Sequence, residues 1–537
     1  MVEGVRLRHL VEVRGTAETS VRWLTFSGLT LRHAKRTFME NRERLLRSDW
    51  TVYRGGALFL EGAEDCRIED CDFDHLGGNA VFVSGYNRRI SILRCHIHEV
   101  GGNGVAFVGS VGAVRDPLTG YHARMHVADL DRTPGPKTPD YPADSRVEDC
   151  LIHDIGRIEK QVAGVEIDIA LRITVQNCSI YRVPRAGINI GGGCWGGHVI
   201  AYCDVFDTVL ETGDHGAFNS WGRDRFWGLA GVDYDTLMTG ENRDLPFLDA
   251  MYPNILHNNR WRCDHGWAID LDDGSSNYII RDNLCLKGGI KNREGYRRVV
   301  ENNIMVNNTF HPHVWFRNSG DVFRRNIVFT RYRPVRVAQP WGETCDFNFL
   351  HEGGADPRPA LALQLLSGRD AHSLVGDAGF VGPEAGDYRV AENSPVLALG
   401  FVNFPMDRFG VRCARLRALA ETPPLPQPGI LSEAESARDA TPVAWLGATI
   451  RNVVGMGEVS AAGLPGEVGI LLVDVPAGSA AAEAGLRPGD VILMCDGRAV
   501  DTVQSFLSVW RRAKGKVALQ VWRDQRANEL SLEMRRK

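Results

Sequence analysis

The chain reads as an all-β solenoid, a right-handed parallel β-helix, followed by a small α+β domain, and three observations point there. The first is a six-residue pattern, apolar-x-x-Cys/Asn-x-apolar, found nine times between Ile68 and Val328. It runs Ile68-Cys71-Phe73, Ile92-Cys95-Ile97, Val147-Cys150-Ile152, Val175-Cys178-Ile180, Ile200-Cys203-Val205, Leu256-Asn259-Trp261, Ile280-Asn283-Cys285, Val300-Asn303-Met305 and Phe323-Asn326-Val328. The second is its spacing, 24 residues from Cys71 to Cys95, 25 from Cys178 to Cys203 and 24 from Asn259 to Asn283. A period of that length belongs to coils that each bury an apolar edge against the next. The third is strand-like alternation with no 3.6-residue period. A leucine-rich repeat would need a Leu-rich consensus and a helical half-repeat, and neither is present.

Each element of the pattern has a physical reason. Cys stacks inside a coil as a compact apolar residue, and Asn bonds backbone at an inward turn along a ladder of like residues. Phe26, Leu29 and Leu31 read as an earlier coil strand. A free-standing β-helix starts with a capping element, so the N-terminus is expected to be truncated. Any export signal would lie upstream, and a periplasmic or secreted location is expected. Residues 110–146 and 228–252 lack periodicity and read as surface loops, which on a rigid scaffold belong to the functional face. Residues 340–412 lose the anchor and read as closing coils and a cap. The expected domains are 1–415, a β-helix; 416–441, a linker with Pro423, Pro424, Pro426 and Pro428; and 442–537, the second domain.

Composition narrows the function classes. With 62 basic and 67 acidic residues and no basic stripe between aromatic platforms, nucleic-acid binding is not expected. Five of twelve cysteines are ladder anchors, and no Cys-x-x-Cys or Cys/His zinc spacing appears, so neither disulfides nor a metal are expected. No apolar run approaches membrane-spanning length.

In the last hundred residues, Trp445-Leu446-Gly447-Ala448, Gly469-Ile470-Leu471-Leu472-Val473, Pro476-Ala477-Gly478-Ser479-Ala480, Ala484-Gly485-Leu486 and Pro488-Gly489-Asp490-Val491-Ile492 resemble a bacterial PDZ domain of the HtrA-protease type. The resemblance implies that backbone N–H groups of Trp445, Leu446, Gly447 and Ala448 hold a peptide C-terminal carboxylate. It also implies that the next strand takes the peptide by β-augmentation. No Gly-x-Ser-Gly-Gly protease elbow accompanies these motifs.

Counting eleven residues past each anchor reaches one strand position, Phe82, Ala106, Asn189, Asp270, Glu294 and Val314; five-residue insertions move it to sixteen at Glu166 and Asn219. Their apolar neighbours point inward, so these positions point outward, and Glu166, Asn189, Asn219, Asp270 and Glu294 form a polar stripe. Around it stand Asp214-His215, Trp221, Arg223-Asp224-Arg225, His265, Trp267 and Asp272. Aromatic faces stack on sugar rings, Arg and Asn bond hydroxyls, and paired carboxylates supply acid and base. Asp270 and Asp272 share a face roughly 6.6 Å apart by strand rise. Asp273-Gly274 reads as a turn.

Gly213 to Trp227, Trp267 to Tyr278 and Asn302 to Trp315 resemble bacterial right-handed β-helix proteins of the pectate-lyase-like superfamily, near glycoside hydrolase family 141. The resemblance implies a glycoside hydrolase acting on polysaccharide, with Asp214 and Asp270 as acid/base pair and Asp272 and Glu294 in reserve. Substrate would be held by His215, Asn219, Trp221, Arg223, Asp224, Arg225, His265, Trp267, Asn189, Glu166, His313 and Trp315. Two other readings stay open. A polysaccharide lyase would hold Ca²⁺ on Asp270, Asp272, Asp273 and Glu294, and a noncatalytic scaffold would grip glycan while its PDZ domain recruits a partner.

Overall fold

The computed structural model describes residues 4–47, 51–335, 337–354, 356–426, 440–513, 515–523 and 525–533. The chain divides into two compact units, one built from most of residues 1–430 and one from 431–537. The first unit winds through three long parallel sheets in repeated order. Its second sheet aligns the leading apolar residue of every repeat, Ile68, Ile92, Val147, Val175, Ile200, Leu256, Ile280, Val300 and Phe323. The third aligns the trailing one, from Phe73 to Val328. Phe26 and Leu31 extend both rows toward the N-terminus. A tenth copy of the pattern, Cys345-Asn348-Leu350, continues them at the other end.

The bend between these sheets explains the residue before each anchor. Asp70, Arg94, Asp149, Asn177, Tyr202, Asn258, Asp282, Asn302 and Arg325 all have φ between 50 and 58°. Asp and Asn fill six of the nine because a short polar side chain tolerates the left-handed region best. The anchors then face inward. Asn283 Nδ2 donates to Asn303 Oδ1 at 3.0 Å, and Asn303 Nδ2 to Asn326 Oδ1 at 3.0 Å, while each Oδ1 also accepts the backbone N–H of the coil before it. Asn303→Leu strands several buried groups, each worth about 1–3 kcal/mol. Its melting temperature is expected to fall well below wild type; an unchanged value would mean that the ladder contributes nothing.

The two insertions do more than cover surface. Leu130, Phe226, Leu229, Leu237, Leu245, Leu248 and Tyr296 form a small core of their own. Beside it, Leu46 from the N-terminal arm packs with Val114, Tyr141 and Trp195. Together these segments roof the outer face of the first sheet. The stretch expected as linker also differs at its start. Leu416 is fully buried beside Tyr181 and Phe206, Glu421 N–H donates to Tyr181, and Leu425 joins another apolar cluster, so residues 416–426 lie on the coils. Their apolar residues cover part of the outer face of the third sheet. Residues 427–439 of that stretch lie outside the described residues.

In the second unit an antiparallel sheet surrounds helices Gly455–Ala462, Ala480–Glu483 and Val503–Arg512. Its core includes Trp445, Ile450, Leu472, Ile492 and Phe506. Among the described residues no helix is long and apolar enough to cross a membrane.

Candidate functional site

The outward stripe exists, with a changed ending. Phe82, Ala106, Glu166, Asn189, Asn219 and Asp270 are in register on the first sheet. The row then continues through Lys291 and His311, where Glu294 and Val314 were expected. In those coils the turn is three residues shorter, so the stripe lies eight residues past Asn283 and Asn303. The repeated start Gly164-Val165-Glu166 and Gly187-Ile188-Asn189 was the signal that finds it, because Gly289-Ile290-Lys291 repeats the same form. The roof buries the row completely at Glu166, Asn189, Asp270 and Lys291. It opens at Asp214, Glu294 and Asp272, whose side chains are 35, 25 and 16% exposed.

Lys291 is the centre. Its Nζ lies 3.2 Å from Asp214, 3.1 Å from Asp270 and 3.4 Å from Asp272, and 4.3 Å from the centre of the Trp267 ring. Burial lowers the lysine's proton affinity, but the three carboxylates outweigh it and hold the ammonium. Burial pushes the Asp270 carboxyl well above the ordinary range, with Asp272 and Asp214 adding to it and Lys291 opposing. Burial acts on Asp272 too, yet Lys291, Arg293 and Arg223 overcome it and hold that group low. Two carboxylates two residues apart thus have opposite proton affinities, which is how acid and base roles are separated. His313 stands edge-on to Trp267 at 5.5 Å; burial and Lys291 keep it neutral, and neither ring nitrogen has a hydrogen-bond partner among the described residues.

A polar chain leads away from this centre. Asn219 Nδ2 donates to Asn189 Oδ1 at 3.0 Å, and Asn189 Nδ2 donates to Glu166 Oε1 at 2.6 Å. Arg185 donates to Asn189 and to His215 Nε2, and its guanidinium lies 5.2 Å from the centre of the Trp221 ring. Burial and Asp168 push Glu166 well up, and burial brings Asp168 to about 6. A Cβ on Gly191 would stand 1.6 Å from Asp168 Oδ1, so only glycine leaves room for that carboxylate. Asp168, Arg185, Lys291 and Arg293 are functional candidates that the pattern count did not single out.

Several expected site residues serve elsewhere. Arg225 and Asp249 form a buried pair, and the same guanidinium donates to the carbonyls of Asp131, Thr133 and Leu248, fastening the two insertions. Asp224 accepts from Gly193 N–H, and its backbone carbonyl accepts from Arg47. His265 is exposed on the turn before the strand. Trp315 packs inside the solenoid against Phe310 and Trp341, because the shorter turn carries it past the stripe. Glu294 pairs with Arg293 at 3.1 Å on the rim. Asp273, read as a turn residue, is buried, pairing with Arg223 and Arg293 and accepting from Tyr121.

In the second unit, Leu446 and Gly447 have φ of 50 and 78° and form a tight turn between Val443–Trp445 and Ala448–Asn452. The strand expected to accept a peptide is therefore paired on both edges, by Val443–Trp445 and by Ile470–Asp474. Trp445 packs against Phe506 and Trp510 of the last helix at 5.0 Å each.

Residues 37–202 match the family described as right handed beta helix region, and residues 444–534 match the PDZ domain. The chain thus carries a right-handed β-helix followed by a PDZ domain. Among solved structures it is similar to "Glycoside hydrolase", at 13% identity over 62% of this chain and 51% of that one with a TM-score of 0.37. It is also similar to "The complex structure of XylC with xylose", at 11% identity over 68% of this chain and 54% of that one with a TM-score of 0.32. The chain spans about half the length of these structures. No curated protein matches it.

Proposed function

We propose that the β-helix is a glycoside hydrolase acting on polysaccharide, with Asp270 as general acid and Asp214 as its partner. The supporting observation is the convergence of Asp214, Asp270 and Asp272 on Lys291 beside Trp267, with burial pushing Asp270 up and the neighbouring cations holding Asp272 low. Asp214 is the exposed member and meets substrate first. Trp267, His313, Asn219 and Arg185, buried beneath the roof, line the centre with one aromatic face and several polar groups of the kind that bind sugars. The lyase reading fits less well, because the Lys291 ammonium occupies the point where Asp270 and Asp272 would hold Ca²⁺. Lys291, kept protonated by its neighbours, is also no base. Aryl glycosides and polysaccharides are the test. New reducing ends that persist in excess EDTA, without absorbance at 235 nm, support hydrolysis; unsaturated product that EDTA suppresses would replace it with the lyase.

The PDZ domain is proposed to bind apolar peptide C-termini at Trp445–Ala448. Because Val443–Trp445 covers the receiving edge, the peptide must displace it. Micromolar binding of free peptides is expected to vanish when the terminus is amidated, and equal binding of both forms would exclude carboxylate recognition.

A further inference from the structure

The outer face of the third sheet carries a second group of ionisable side chains, remote in role from the stripe. Strands Asp72–Leu76, His96–Val100 and Leu151–His153 lie side by side on consecutive coils. Their register sets His96 beside Asp72, and His98 between Asp74 and His153. The His96 and His98 rings are 4.1 Å apart, and His153 is 5.1 and 5.5 Å from them. Burial first, then the neighbouring imidazoles, push His96 down to about 3, and burial lowers His153. Neutral imidazole is the form that ligates metals.

The hydrogen bonds assign the tautomers. His153 Nδ1 is 2.6 Å from Asp154 Oδ2, a carboxylate kept ionised against burial by Arg182 and His153, so the nitrogen carries the hydrogen. His153 Nε2 is then an acceptor, and His96 Nε2–H donates to it at 2.9 Å. That leaves His96 Nδ1 with a bare lone pair, 3.2 Å from Asp72 Oδ1. His98 Nε2 lies 3.3 Å from the same oxygen, and its Nδ1 lies 3.6 Å from Asp74. Two electron-rich atoms, His96 Nδ1 and Asp72 Oδ1, thus face each other with no hydrogen between them.

We propose that Asp72, His96 and His98 form a binding site for a divalent transition-metal ion of the zinc class, ligating through Oδ1, Nδ1 and Nε2 and leaving a fourth position to water. Bonds of about 2.0–2.1 Å at tetrahedral angles place ligand atoms roughly 3.3 Å apart, the separation seen here from Asp72 Oδ1 to each imidazole nitrogen. The three ligand atoms lie within 4.8 Å of one another. Two imidazoles select a zinc-class ion over calcium, and Asp74 and His153 supply the outer contacts that orient such ligands. The ligand side chains are 35, 14 and 20% exposed, so an ion can reach them. The sequence shows only the His96-Ile97-His98 pair, because the third ligand, Asp72, lies one coil earlier and meets them only when coils stack.

The test is calorimetry on the EDTA-dialysed full chain titrated with Zn²⁺. One ion per chain is expected, with binding at least about tenfold weaker in His98→Gln and Asp72→Asn. In wild type, Co²⁺ is expected to give visible d–d absorption of a tetrahedral site without a thiolate charge-transfer band, a readout independent of variant folding. Substoichiometric Zn²⁺ uptake, a thiolate band, or undiminished binding in either variant overturns the proposal.

Discussion

Asp270→Asn lowers turnover by at least about a hundredfold while leaving the melting temperature close to wild type. Asn keeps the volume and much of the hydrogen-bonding shape but carries no transferable proton, and a positioned general acid contributes on the order of 10²–10⁴ in rate. Folding is expected to tolerate the change because burial already disfavours the charged form of Asp270. The same shift gives the pH dependence its sign: turnover falls on the alkaline side as Asp270 gives up its proton. Asp273→Asn, which a turn reading would make silent, is now expected to lower stability, because it sets a neutral amide against the buried Arg223 and Arg293. The silent control is His265→Ala, on an exposed turn. Kinetics of the three variants on one responsive glycan decide it. No loss in Asp270→Asn, or an equal loss in His265→Ala, would favour a glycan-binding scaffold.

The solenoid was legible because its information is periodic and local. Ile68, Cys71 and Phe73 already specify a strand, an inward turn and a second strand, and their recurrence specifies stacking. The site was legible only as far as the period held. Glu166, Asn189, Asn219 and Asp270 obey the count, and the count fails at Lys291, where one turn loses three residues and a cation replaces the expected carboxylate. Roles inside the roof were not legible at all. Arg223 and Arg225 look alike in sequence, yet Arg223 faces Asp273 beside the stripe, whereas Arg225 is spent on Asp249 and loop carbonyls. That difference arises from how two aperiodic insertions fold over the sheet. The His96–His98 group escaped for a related reason, since its partner Asp72 is 24 residues from His96 along the chain and adjacent only in the stack.

Lys291→Met is the substitution expected to cost most stability, and its penalty should depend on pH in a defined direction. In wild type the ammonium lies 3.1–3.4 Å from Asp214, Asp270 and Asp272 and compensates those that are ionised, with Asp270 fully buried. Removing one partner of a buried charge cluster costs about 3–5 kcal/mol. The wild-type Asp272, held below its unfolded pKa of about 3.9, contributes stability that is present above that value and lost as pH falls. Without Lys291, Asp270 loses the cation that opposes its burial and is pushed further above its unfolded value, and Asp272 keeps only Arg293 and Arg223 against burial, so both bind protons more readily than in wild type. The native state then binds more protons than the unfolded one, so the variant loses stability as pH rises and regains it on acidification. Melting curves of both proteins at pH 5 and pH 7 should show a gap that narrows at pH 5. A gap that stays constant would mean that Lys291 matters through its contact with Trp267, 4.3 Å away, rather than through charge.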